Sequence, residues 1–283
     1  MLSGIPIPKD AVRPPETVLV NITPQETRVA VLEENNICEL HIERNSGHSL
    51  VGNIYLGVVR RVLPGMQSAF IDIGLERAAF LHIVDVLEQR RNPDETQRIE
   101  HMLFEGQSVL VQVIKDPINT KGARLSTQIS LAGRFLVHLP QEDHIGISQR
   151  IEDDAERNSL RERLTNLLPE DACHGYIIRT NAENATDEQL QSDIHYLTKV
   201  WEHIQEQAKT QPPETLLYQD LPLSLRVLRD MFSLDTQKIL VDSTENHRRM
   251  TRFAEQYVHG ALGKIELFKG ERPLFETHNI EQE

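Results

Sequence analysis

"NIYLGVVRRVLPGMQSAFIDIGLERAAFLH", residues 53–82, decides how this chain reads. Its β-branched and aromatic runs are broken at Pro64-Gly65 and at Gly74, the pattern of short strands joined by tight turns. "QSVLVQVIKD" and "ARLSTQISL" extend the pattern to five short strands over about 80 residues, which predicts a small closed barrel of the OB type. "EQRRNPDETQRIE" is a polar excursion between them.

The chain is only 5% aromatic, yet Phe70 and Phe80 sit in this stretch beside Arg60, Arg61 and Arg77. "KDPINTKGAR" adds Lys115, Lys121 and Arg124 on a loop between strands. Burial would ordinarily claim a strand phenylalanine. An OB barrel, however, binds single strands by stacking bases on exposed rings beside a basic groove, and the basic company of these two points to a single-stranded nucleic acid.

A net charge of −13 argues against indiscriminate nucleic-acid binding, because phosphate affinity comes from clustered Lys and Arg. The excess is not in the barrel: residues 50–130 hold nine basic and nine acidic side chains, so a neutral window can still present one positive groove. Two distant cysteines, Cys38 and Cys173, form neither a disulfide framework nor a zinc site, and a reducing cytoplasm is the expected setting. No apolar run approaches the ~18 residues that span a bilayer, so no membrane partner is expected. The start, "MLSGIPIPKDAVRPPE", is broken by four prolines and reads as a flexible extension at 1–16.

Outside the barrel the rhythm is mixed. Val18, Val20 and Ile22, then Val29 and Val31, then Ile37, Leu40 and Ile42 predict three strands, with "EENN" as a hairpin turn and "RNSGHS" as a linker. "IEDDAERNSLRERLTNLL" places Leu160, Leu164, Leu167 and Leu168 on one helical face, and "GYIIRT" reads as a short buried strand. The clearest helix carries Leu190, Ile194, Leu197, Trp201 and Ile204 on one stripe, with Thr186 and Gln189 as a capping box. It ends at "TQPPET". Beyond, "LPLSLRVLRDMF" and "TENHRRMTRFAEQYV" look helical, while "KILVDS" and "GKIELFKG" look like strands.

The quoted stretch, together with "VQVIKDPINTKGARLSTQISLAGRFLV", "GISQRIE", "GYIIRTNAE" and "GERPLFETHNIE", resembles the N-terminal half of the ribonuclease E/G family, in order from about Val18 to Glu283. Gln149-Arg150 stands where ribonuclease E has two arginines and is shared with the ribonuclease G branch. The resemblance implies an α/β multi-domain fold. An RNase H-like mixed domain, split between residues 17–46 and 212–283, would be interrupted by an S-one-type OB-fold β-barrel at 47–131 and a small α+β 5′-sensor domain at 132–211.

It also implies roles. Phe70, Phe80 and Lys121 would hold single-stranded RNA on the barrel, and Gly133, Val137, Arg179 and Thr180 would grip a 5′-terminal monophosphate. A guanidinium offers a charge-assisted, bidentate bond to phosphate, a hydroxyl adds a donor, and a glycine permits close approach of backbone N–H groups. The family's endoribonucleolytic cleavage, part of RNA processing and decay, uses two aspartates on a magnesium ion. They belong to a DNase I-like domain expected past Glu283, so neither a catalytic residue nor a metal site is expected among these 283 residues. Family members form homodimers through those same parts, and this stretch is expected to be monomeric.

Asp242, at the end of "KILVD", and Asp72, in "FIDIG", are the carboxylates nearest to a metal-ligand setting, and neither has a partner at recognisable spacing. His195 falls off the apolar stripe of its helix and is expected to be exposed. The competing reading is a stand-alone, non-catalytic OB-fold RNA-binding or regulatory protein. A third, an independent RNase H-like nuclease, needs a carboxylate cluster that the sequence does not offer.

Overall fold

The polar "EENN" folds as a two-residue hairpin turn, with Glu34 and Asn35 both at positive φ (50° and 69°), the geometry that matches the twist of the flanking strands. It joins β2 (Glu26–Glu33) to β3 (Asn36–Arg44), and β1 (Glu16–Ile22) pairs antiparallel with β2. These elements come from a computed structural model that describes residues 15–44, 49–86, 98–118, 121–169, 175–233 and 235–282. The expected extension at 1–16 lies almost wholly outside the described residues, as do most of the polar excursion, part of the "RNSGHS" linker and Cys173. The chain divides into two compact units, one made of both chain ends (up to His48 and from Leu221 on), the other of Ser49–Asp220.

In the first unit β14 (Thr236–Val241) lies parallel to β1, and β15 (Ile265–Leu267) parallel to β14, giving the sheet order β15-β14-β1-β2-β3. Period-2 alternation sends side chains to opposite faces. Val18, Val20, Val29, Val31, Ile239 and Val241 pack with Met250 and Ala254 of α3 (Thr244–Tyr257) and with the segment Leu223–Phe232, in which a single helical turn runs into a π-turn. On the other face Leu19, Ala30 and Leu32 meet Leu274 and Phe275. Asp242 ties the ends of β14 and β1 together: it accepts from Asn21 Nδ2 at 2.6 Å and from the Ile22 N–H at 2.9 Å.

The second unit contains the barrel. β4 (Ile54–Leu63), β5 (Ser68–Asp72), β6 (Ala79–His82), β8 (Arg124–Ser126) and β7 (Ser108–Lys115) pair in that order, and β7 returns to β4. The ring closes with one parallel pair, β6 with β8, as an OB-type barrel does. Tyr55, Val59, Ala69, Ile71, Leu81, Val111, Val113 and Leu125 fill it, and Ile99 of the short helix Ile99–Met102 packs with them. A Cβ on Gly57 would stand 2.5 Å from the Ile71 side chain, so glycine is what lets that side chain pack against β4 here. A further strand, β13 (Thr215–Tyr218), adds antiparallel to β4 with Tyr218 opposite Ile54, and the Asp220 N–H bonds the Asn53 side chain at 3.0 Å.

Beyond the barrel, β9 (Leu131–Ala132), β10 (Leu136–Leu139), β11 (Ile145–Ile147) and β12 (Gly175–Ile178) form a small sheet in the order β11-β12-β10-β9. α1 (Asp154–Leu167) and α2 (Asp187–Thr210) cover it, burying Leu160, Leu164, Leu190, Ile194, Leu197, Trp201 and Ile204. The Thr186/Gln189 capping box is formed, and His195 is exposed. Among the described residues no helix is long and apolar enough to cross a membrane.

Candidate nucleic-acid interface

The barrel strands alternate inward and outward, and the inward positions flanking Phe70 and Phe80 are Ala69, Ile71, Ala79 and Leu81, each fully buried. Both phenylalanines therefore belong to the outer surface. Phe70 is 36% exposed and Phe80 is half-buried. They stand directly opposite one another on β5 and β6, ring centroids 6.1 Å apart and inclined by 66°, an edge-to-face pair. His82, two residues further along the same face, puts its ring 6.3 Å from Phe80.

The register extends the pair into a row. Arg61 on β4 is opposite Phe70, Arg124 on β8 is opposite Phe80, and Lys115 on β7 is opposite Arg124. Four consecutive pairings thus line up cation, ring, ring, cation, cation across five strands of one barrel. The guanidinium of Arg124 is fixed by the buried Asp85 carboxylate, with Nε at 2.8 Å and a terminal nitrogen at 2.8 Å. Arg61 and Lys115 are exposed and form no ion pair among the described residues. A bulge between Val59 and Arg61 also exposes Arg60, but that side chain is closed on Asp72 at 3.0 Å and Glu214 at 2.5 Å.

Lys121 is exposed on the loop that precedes β8, bridged through its backbone to Ile118. The loop is pressed against the start of β6: a Cβ on Gly122 would fall 2.0 Å from the Ala78 carbonyl oxygen, and the Phe80 N–H bonds the Ala123 carbonyl at 2.7 Å. Lys121 therefore precedes by one residue the point where this loop meets the start of β6.

The second set of residues meets at the turn between β9 and β10. Gly133 opens this turn, its N–H bonded to the Leu136 carbonyl at 2.8 Å. Arg179 follows β12 and reaches back, donating from a terminal guanidinium nitrogen to the Gly133 carbonyl at 2.5 Å, while its own N–H bonds the Phe135 carbonyl at 2.8 Å. Thr180 begins the short helix Thr180–Asn184 immediately after it. Val137 is half-buried on β10, opposite Ile177 on one side and Ala132 on the other. Residues separated by 46 positions in sequence are so brought to one place.

Asp193, which sequence reasoning passed over, lies under this turn. It projects from the buried face of α2 and accepts N–H groups from Arg134 at 3.0 Å, Phe135 at 2.8 Å and Leu136 at 2.8 Å. Burial pushes its carboxyl above the ordinary value, against the opposing pull of these three N–H groups and of the Arg179 guanidinium. A Cβ on Gly133 would stand 2.5 Å from one Asp193 oxygen and 2.6 Å from the other. The space that a side chain would need at Gly133 is thus already taken by a carboxylate of the protein itself. The signal was present: Asp193 falls three residues after Leu190 and four before Leu197, and an acid on a buried stripe must find donors.

The carboxylates considered as metal ligands are otherwise engaged. Asp242 is held by Asn21 and Ile22, and Asp72 by Arg60 and by the Gly74 N–H at 3.0 Å. Among the described residues no three of His, Cys, Asp or Glu come together as metal ligands.

Comparison with known proteins agrees with the motifs. The model of the ribonuclease E/G family matches residues 130–283. Ribonuclease G of Salmonella typhimurium (strain SL1344) is 42% identical over 273 residues, 94% of this chain and 55% of that protein. Ribonuclease G of Escherichia coli (strain K12) is 41% identical over the same shares of each chain. Ribonuclease E of Nostoc sp. (strain PCC 7120) is 39% identical over 263 residues, 92% of this chain and 38% of that protein. The chain thus spans about half the length of the ribonuclease G relatives it matches. With a family model covering more than half of its residues and with the motifs in order along it, the chain belongs to the ribonuclease E/G family.

Proposed function

We propose that these residues form the RNA-gripping part of a ribonuclease G-type, single-strand-specific endoribonuclease of RNA processing and decay, which recognises RNA with a 5′-terminal monophosphate. The row Arg61–Phe70–Phe80–Arg124–Lys115 carries the reading. Two adjacent outward rings flanked by cations suit a single strand, whose bases stack on any aromatic face while phosphates pass the charges. Lys121, exposed on the loop before β8, is assigned to the same strand of RNA. A duplex has no free base faces to offer, so such a surface selects single strands.

Arg179 and Thr180, gathered with Gly133 and Val137, are assigned to the 5′-monophosphate. A planar guanidinium suits a doubly charged terminal phosphate, and a 5′-hydroxyl offers it nothing comparable. The sheet order of three antiparallel strands followed by two parallel ones supports an RNase H-like reading of the first unit. The four-stranded sheet under α1 and α2 supports reading residues 132–211 as the 5′-sensor domain. The magnesium-dependent cleavage is assigned to the length by which the relatives exceed this chain, together with the homodimer contacts; the expected setting is the cytoplasm. No cleavage step is assigned to residues described above.

The test is incubation of this chain with magnesium and a labelled single-stranded RNA carrying a 5′-monophosphate, followed by a denaturing gel and a binding isotherm. Saturable binding with intact RNA is expected. Magnesium-dependent cleavage that persists after contaminating nuclease is excluded would overturn the assignment, as would the absence of single-strand binding.

A further inference from the structure

We propose that Asp193 is a positioning residue for recognition of the RNA 5′ end: its buried carboxylate sets the Gly133–Leu136 turn, and through it the Arg179 guanidinium. The inference rests on the reading of Arg179 as the phosphate ligand and adds a residue that touches no RNA.

The geometry runs in two steps. The Asp193 carboxylate is 8% exposed and draws three consecutive N–H groups, those of Arg134, Phe135 and Leu136, to one side of the turn. Peptide planes are rigid, so fixing where these N–H groups point also fixes the carbonyls of the residues before them. Two carbonyls of this turn, those of Gly133 and Phe135, are the ones that receive Arg179, the first from its guanidinium and the second from its backbone N–H. Asp193 thus holds the acceptors that hold Arg179, and Thr180 follows directly from the Phe135–Arg179 bond. The absent side chain of Gly133 is part of the same device, since the space of its Cβ is filled by the carboxylate oxygens. The Arg179 guanidinium in turn favours the charged form of the Asp193 carboxyl, against the effect of burial. One consequence concerns the ligand. The N–H groups of residues 134–136 are spent on Asp193, so they do not cradle a phosphate, and discrimination must fall on the side chains of Arg179 and Thr180.

The experiment compares the whole chain with Asp193→Asn, Arg179→Ala and the double variant. Each is titrated with one short single-stranded RNA carrying either a 5′-monophosphate or a 5′-hydroxyl. Asparagine keeps the size but presents one acceptor where the turn needs two, so the preference for the monophosphate should fall by about tenfold, the value of one charge-assisted bond. Affinity for the 5′-hydroxyl RNA should be unchanged, and adding Arg179→Ala to Asp193→Asn should cost little more. A folded Asp193→Asn protein with full preference, in a chain where Arg179→Ala abolishes it, overturns this inference alone. A wild-type chain with no preference, or one in which Arg179→Ala retains it, overturns the pocket reading and this inference with it. Should Asp193→Asn fail to fold, Gly133→Ala decides, because it displaces the carboxylate while leaving every charge in place. Loss of preference there supports the proposal and full preference overturns it.

Discussion

Arg60 and Arg61 are adjacent on β4 and meet opposite surroundings: the first is closed on Asp72 and Glu214, while the second stands across the register from Phe70. The difference follows from a bulge that turns both outward and from the position of Glu214 just before β13. Arg61→Ala should weaken single-strand binding and lower the slope of log affinity against log salt by about 0.7, one phosphate contact on a single strand. Arg60→Ala should leave that slope unchanged and cost at most about 1 kcal/mol of stability, since the pair is exposed. Equal effects of the two substitutions on salt dependence would refute the distinction.

Replacing Phe70 and Phe80 together by alanine should reduce affinity for any short single strand by about 2–6 kcal/mol, one stacked base per ring. The rings lie outside the barrel interior, so the thermal midpoint should move little. A large fall in melting temperature with intact affinity would instead identify them as packing residues.

At the other site, Arg179→Lys is more informative than alanine. It keeps the charge and loses the planar fork, so it should retain part of the affinity for monophosphorylated RNA while losing discrimination by about tenfold or more. Competition between monophosphorylated and hydroxyl-ended RNA reads this directly; a fully active lysine variant would mean that bidentate geometry is not used.

Asp242→Ala removes the acceptor for both Asn21 and Ile22 and should destabilise the first unit by about 1–3 kcal/mol, with the two donors left unsatisfied. Binding to either RNA should be unaffected. A folded Asp242→Ala protein with weakened RNA binding would show that the carboxylate has more than a structural task.

Much of this organisation could be read before any coordinates. α2 announced itself because an apolar stripe of period 3.6 and a capping box are both local, and the meander β1–β3 did so through strict alternation around a polar turn. The outward direction of Phe70 and Phe80 could not be settled by composition, since strand parity shows which residues share a face but not which face is the interior. β13 escaped notice because four residues after a Pro-Pro pair carry too little pattern to separate a strand from a linker. "LPLSLRVLRDMF" read as an ordinary helix, whereas it is one α-turn followed by a π-turn, a change of hydrogen-bonding partner that periodicity does not encode. The meeting of Arg179 with Gly133 came only through resemblance, because nothing local links a strand end to a turn so far upstream. Asp193 was legible in principle, as an acid where the helix had no room for one.

The antiparallel pairing of β13 with β4 has an architectural consequence. Tyr218 stands opposite Ile54 and Asp220 bonds Asn53, so the chain leaves the second unit beside the place where it enters. A segment whose two ends are neighbours behaves as a cassette: it can be lifted out and its stumps joined by a few residues, or set into another host loop, without stretching either partner. The barrel and its attached sheet are in that sense a graftable unit, and the hydrogen-bonded ends at Asn53 and Asp220 mark where to cut.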